Sequence, residues 1–193
     1  MQGPVRNCIE PIPLLAMSLH KLLTILTPPA NPFEVPRQEN WSTVKRQLGD
    51  LPEDYRAFLE RFGTGVVNSF IWVLNPASAN RYLNLLAQVE PILGALKTLS
   101  LSGEPCPYAL HPARCGLLPF GKTDNGDALF WLTKGQPDRW TVVVNAARDP
   151  TYEEFACSAT DFLAGVLSRR LRSVIFPESF PRGPTIFTPA APS

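Results

Sequence analysis

The chain has 193 residues, of which 45% are hydrophobic and 18% charged, and its formal net charge is +1. That length fits one domain with appendages, and the apolar share is enough for a core. The near-neutral charge argues against direct nucleic-acid binding or docking on acidic membranes, and no apolar run reaches the roughly 18–20 residues of a membrane helix.

Proline is the compositional anomaly. The 21 prolines are roughly twice the ~5% average share, and many lie near the two ends, which predicts unpacked tails. The four cysteines, Cys8, Cys106, Cys115 and Cys157, contain no Cys-x-x-Cys, and His20 and His111 are the only histidines. A zinc cluster therefore lacks its usual spacing, and free thiols in a reducing cytosol are expected.

At the amino end, "PLLAMSLHKLLTIL" is apolar but interrupted by His20 and Lys21. It has neither the basic flank nor the small-residue cleavage site of a signal peptide. Met17 is the one internal methionine, and "MSLHKLLTIL" reads as a natural start, with residues 1 to 16 as an upstream extension. "PPANPFEVP" (28–36) cannot continue a helix. Residues 1–36 are thus expected to be a flexible, proline-rich extension outside the core.

"ENWSTVKRQLG" places Trp41, Val44 and Leu48 on one helical face, with Gly49 as the stop. In "LPEDYRAFLERFG", Pro52 suits the first turn, and Glu53 and Asp54 suit its positive dipole end. Leu51, Tyr55, Phe58, Leu59 and Phe62 recur at helical spacing before Gly63. "SFIWVL" (69–74) reads as a buried strand. The next 25 or so residues, from Asn75, read as a long helix capped by Ser78 and kinked at Pro91. Its core stripe would be Tyr82, Leu86, Val89, Leu93 and Leu96.

"LLPFG", "DALFWL" and "WTVVVN" read as three strands of an antiparallel meander. "SATDFLAGVLSRRL" reads as the last helix, with Ser158 and Asp161 at approximate capping-box spacing. The tail "FPESFPRGPTIFTPAAPS" is proline-rich, and residues 177–193 are assigned to it.

"DNGD" (124–127) links the first two meander strands. As a calcium loop it fails, because the twelfth position counted from Asp124 is Gly135 and not Glu. As a catalytic acid pair it has no histidine or nucleophile nearby in sequence. "GTG" (63–65) and "FGKTDNG" also lack phosphate-loop spacing. Asn-Gly is a strong hairpin signal, since both residues tolerate positive φ, so a turn is expected.

The ordered set W-x6-LG-x-LP-x-DY-x2-FL-x3-G, then LLPFG-x3-NGD-x-LFW, then EFACSATDFLAGVL resembles the SUKH superfamily, whose founding members are the Smi/Knr-type regulators of yeast cell-wall synthesis. The likeness covers about residues 39 to 171, within a domain drawn at 37–176. The family's leucine-proline motif falls on Leu51, Pro52, Tyr55, Phe58, Leu59 and Gly63, and its Gly-Asp on Gly126 and Asp127. The resemblance implies a single α+β domain with a mixed, mostly antiparallel sheet and helices packed against it. It also implies a binding protein; with no catalytic constellation, cofactor motif or metal-ligand spacing in the sequence, a non-catalytic, cytoplasmic protein without cofactor or metal is expected. Many bacterial members are immunity proteins that neutralise polymorphic toxins, frequently nucleases. The alternative is a regulatory or scaffold adaptor with no toxin partner.

Aromatic anchors dominate tight protein contacts. Trp72, Trp131 and Trp140 lie in predicted strands, and alternation leaves core and anchor roles both open for Trp131. The expected partner surface comprises Trp72, Asp124, Asp127 and Trp131, with the two aspartates supplying negative charge for a basic partner.

Overall fold

A computed structural model describes residues 14–101, 103 and 106–191, with side chains from residue 19 onward. Among the described residues there are five helices: α1 (Leu14–Leu23), α2 (Gln38–Leu48), α3 (Glu53–Phe62), α4 (Leu85–Leu101) and α5 (Ala159–Leu167). The strands are β1 (Gly65–Val67), β2 (Ile71–Val73), β3 (Leu117–Thr123), β4 (Ala128–Leu132), β5 (Thr141–Asn145), β6 (Tyr152–Phe155) and β7 (Phe187–Pro189). A short 3-10 turn, Pro137–Arg139, precedes β5. The strands form one sheet in the order β6-β5-β4-β3-β2-β1-β7, and every neighbouring pair is antiparallel. This is the expected α+β fold, with parallel pairing confined to two isolated bridges, Phe33 with Gly63 and Leu110 with Leu117.

Period-two alternation sends β4 to two different cores. Leu129 and Trp131 join the main core with Leu118, Phe120, Val142 and Val144. Ala128, Phe130 and Leu132 face the other way, where Phe130 packs with Leu117, Val143 and the α4 residues Leu93 and Leu96. The helices therefore cover both faces of the sheet, α1, α2, α3 and α5 on one and most of α4 on the other, with Leu85 at the start of α4 joining the main core. Phe120 is the extra residue of a bulge, since Pro119 pairs with Phe130 and Gly121 with Leu129. The bulge turns the Phe120 ring into the main core, where it stacks on Trp131 at 4.8 Å.

Three sequence expectations change. The flexible extension does not run to residue 36: Leu22 and Leu26 have no solvent exposure, and Leu19 joins them in the main core. Helix α1 packs on α3 and α5, and Lys21 pairs with Asp161. His20 and Lys21 interrupt the hydropathy but sit on the solvent side, so an amphipathic helix forms without a continuous apolar run. The 28–36 segment ends in a bridge in which Thr64 N–H donates to Phe33 O at 2.7 Å. Gly63 has φ +68°, and a Cβ there would lie 2.1 Å from Phe33 O, so this approach requires glycine. Residues 1–13, including most of the proposed upstream extension, lie outside the described residues.

The tail expectation also changes. Phe187 is buried and β7 pairs with β1, while Phe180 packs against the main core. Proline is tolerated because β7 is an edge strand. Finally, the long helix starts at Leu85, well after the Ser78 expected to cap it. Asn75 and Asn80 hold the preceding segment in side-chain-to-backbone turns, and Asn84 Oδ1 accepts from Ala87 N–H as the helix begins. Ser78 caps nothing.

Candidate functional site

The DNGD segment closes the β3–β4 hairpin. Thr123 N–H donates to Asp127 O at 2.9 Å, and Gly126 N–H to Thr123 O at 3.0 Å. Only Gly126 takes a positive φ, +91°, and Asn125 does not. The loop is thus three residues long with glycine at the left-handed position, in place of a two-residue turn with positive φ at both centres.

Its two aspartates have separate fates. Asp127 is 4% exposed. Its Oδ2 accepts from Thr123 Oγ1 at 2.6 Å and its Oδ1 from Ala147 N–H at 3.0 Å, tying the β3–β4 hairpin to the β5–β6 connection. Both oxygens are spent inside the protein, so the expected partner contact at Asp127 is replaced by a structural role. Asp124 is exposed, and its Oδ1 accepts from the Trp72 indole N–H at 2.6 Å.

Trp131 also departs from the expected surface. Its exposure is 0%, its ring is edge-on to Tyr55 at 4.8 Å, and it is stacked with Phe120. It cannot present an anchor on the outer sheet face. The pattern gave no warning, because both faces of β4 are apolar and both are covered.

Trp72 stays at the surface. Ile71 and Val73 point into the main core, so Trp72 points to the opposite face, in register with Lys122 on β3. Helix α4 packs over β3 and leaves Trp72 half-buried. Lys122 links it to Tyr82, which is 60% exposed, with Lys122 Nζ 5.8 Å and Arg81 Cζ 5.4 Å from its ring centre. Partial burial lowers the pKa of Lys122. Tyr82 was missed because an unbroken helix would have turned it inward with Leu86 and Val89. The asparagine-rich run before Leu85 was the signal for the turns that expose it.

The arrangement is an aromatic face with both charge signs at its edge. Cys106, Cys115 and Cys157 are free thiols. Among the described residues, no three His, Cys, Asp or Glu side chains cluster as metal ligands would, and no helix is long and apolar enough to cross a membrane.

Fold and surface together define a single α+β domain whose exposed aromatic face suits protein contact. A family model described as SMI1-KNR4 cell-wall, of the SUKH type, matches residues 38–163, and the chain belongs to that family. No curated protein and no solved structure matches the chain.

Proposed function

We propose that the chain is a non-catalytic, cytoplasmic immunity protein that binds and neutralises a cognate toxin through the face formed by Trp72, Tyr82, Lys122 and Asp124. The observation that carries this reading is that Lys122, in register with the half-buried Trp72, reaches to 5.8 Å from the ring of the exposed Tyr82, so that one cation links both rings on the outer sheet face. Tyrosine, tryptophan and arginine are the side chains that most often anchor protein interfaces. Trp72 enters any contact already oriented by Asp124, which lowers the ordering cost of binding. Membership of the family supports the reading, because its bacterial members include immunity proteins. The family's cell-wall branch supports the second reading, an adaptor on the same face without a toxin.

The test is capture of the toxin-like product of a neighbouring gene by the full chain, with growth rescue on co-expression. Trp72→Ala and Tyr82→Ala should each weaken that complex by about 1–4 kcal/mol with the fold intact. Rescue that persists undiminished in the double variant would rule out this face. Capture of a cellular regulator in place of a toxin would favour the adaptor.

A further inference from the structure

The Trp72 face has a charge of its own. Of the two aspartates of the DNGD segment, Asp127 is buried and bonded inside the protein. Asp124 stays outside, with one oxygen committed to the Trp72 indole. Against that one carboxylate stand two cations, Lys122 and Arg81, both in contact with the ring of the exposed Tyr82.

Neither cation has an acidic partner. Among the described residues the ion pairs are Lys21–Asp161, Lys45–Asp50 and Arg56–Glu53, so no carboxylate lies within 4.0 Å of Lys122 or Arg81. Glu34 reaches the segment that carries Arg81, but its Oε1 accepts from Ala79 N–H at 2.8 Å. Glu154 stands on β6, three strands from β3 across the sheet, and accepts from Thr141 Oγ1. Helix α4 carries Glu90 and Lys97, one charge of each sign, and leaves the balance unchanged. Lys122 is the more telling of the two cations. Its neighbours across the sheet are Trp72 and Ala128, neither of them acidic, and partial burial lowers its pKa. An ammonium that has lost part of its water without gaining a carboxylate is stabilised by one brought from outside.

We propose that the Trp72 face receives an acidic segment of a protein partner. Lys122 Nζ and Arg81 Cζ lie 5.8 Å and 5.4 Å from one ring centre, so a short segment reaches both. One carboxylate meets Lys122, a second meets Arg81, and an apolar side chain of the same segment lies on Tyr82. The charge of Asp124 repels carboxylates from the Trp72 indole and directs them to the Tyr82 side. The sign is opposite to that of the basic partner expected when Asp124 and Asp127 were both placed at the surface. That the acidic segment belongs to a protein rests on the protein-binding reading above; the preference of the face for carboxylates does not.

The experiment titrates the full chain at low ionic strength with acetylated hexaglutamate, hexalysine and hexaserine amides. The Trp72 indole N–H and Tyr82 ring resonances are followed by NMR, with Trp72→Phe and Tyr82→Leu to assign them. Hexaglutamate should shift both resonances. Lys122→Gln and Arg81→Gln should each weaken its binding several-fold, and Lys122→Arg should retain it. Arg81 is exposed, so Arg81→Gln carries the test if Lys122→Gln does not fold. Arg172→Gln, beyond the end of α5, should leave the response unchanged, which separates this face from general attraction to basic surface. No shift with hexaglutamate, an equal shift with hexalysine or hexaserine, or a response untouched by the glutamine variants overturns the inference. A hexaglutamate response in a chain that captures no toxin leaves the polarity of the face standing and removes the immunity reading. A captured toxin whose binding is lost in Trp72→Ala but kept in Lys122→Gln and Arg81→Gln does the reverse.

Discussion

Asp54 Oδ2 accepts from both the backbone N–H and the hydroxyl of Thr160, each at 2.9 Å. Its Oδ1 accepts from Tyr55 N–H at 2.8 Å. A carboxylate at the start of α3 thus also holds the start of α5, and the two helices are locked together at their positive ends. Asp138 acts alike from the 3-10 turn, accepting from Glu53 N–H at 2.8 Å. In Asp54→Ala, three donors lose their acceptor. Stability should fall by about 3 kcal/mol, read from the urea midpoint, with Asp54→Asn losing less. A loss under about 0.5 kcal/mol would mean that water replaces the carboxylate.

Asp127 makes a comparable lock at the opposite end of the sheet. Asp127→Ala should cost about 1–3 kcal/mol, and hydrogen exchange should quicken around Thr123 and Ala147 first. Asp124→Ala, at an exposed position, should leave the melting temperature nearly unchanged. Equal stability losses in the two variants would contradict the division of roles between them.

Trp131→Ala should cost about 3–5 kcal/mol, because the ring fills space between Tyr55 and Phe120 and has no surface to lose. A folded Trp131→Ala with parental stability, measured by thermal and chemical unfolding, would show that the site collapses without loss. Trp72→Ala provides the contrast, since that ring is only partly buried.

What could be read from the sequence followed from pattern strength. Helix α3 was legible because Leu51, Tyr55, Phe58, Leu59 and Phe62 repeat without interruption and Gly63 stops them. Strands β3, β4 and β5 were legible from apolar runs between turn formers. Strands β1 and β7 have three residues each and β6 has four, too few for alternation to show. The role of Trp72 depended on how far α4 covers its face, and that of Trp131 on the packing of α3 against the other, long-range facts that neither strand encodes. Of the four residues expected to meet a partner, Trp72 and Asp124 sit together at the surface and Asp127 and Trp131 lie inside.

The amino-terminal segment gives a direct test of where the packed unit begins. Leu22 has no solvent exposure, and α1 lies across both α3 and α5. Leu22→Ala should cost about 2–5 kcal/mol. Removing residues 1–36 should unfold the chain or leave α5 without its cover, visible as lost near-ultraviolet dichroism from the buried aromatics. A truncated protein melting within a few degrees of the full chain would restore the view of this segment as an appendage.

Cys157 makes the pH dependence specific. Its thiol is pushed up to about 11 in the folded protein, mainly because burial disfavours the thiolate, and secondarily because Asp161 and Asp54 repel it. Unfolding returns the group to its ordinary value near 9. Between those values the folded state holds the proton more tightly than the unfolded state. This contribution to stability is therefore complete below pH of about 9 and is lost as pH rises through about 11. Cys157→Ala should flatten that part of the alkaline unfolding profile, while Tyr55, whose phenol is also raised by burial, preserves a steeper fall at higher pH. Alkylation by iodoacetamide at pH of about 8.5 should be slower at Cys157 in the folded chain than in urea, since the thiolate is the reactive form. Alkylation at equal rates in the two states, or an alkaline profile unchanged in Cys157→Ala, would show that the thiol is not held in this way.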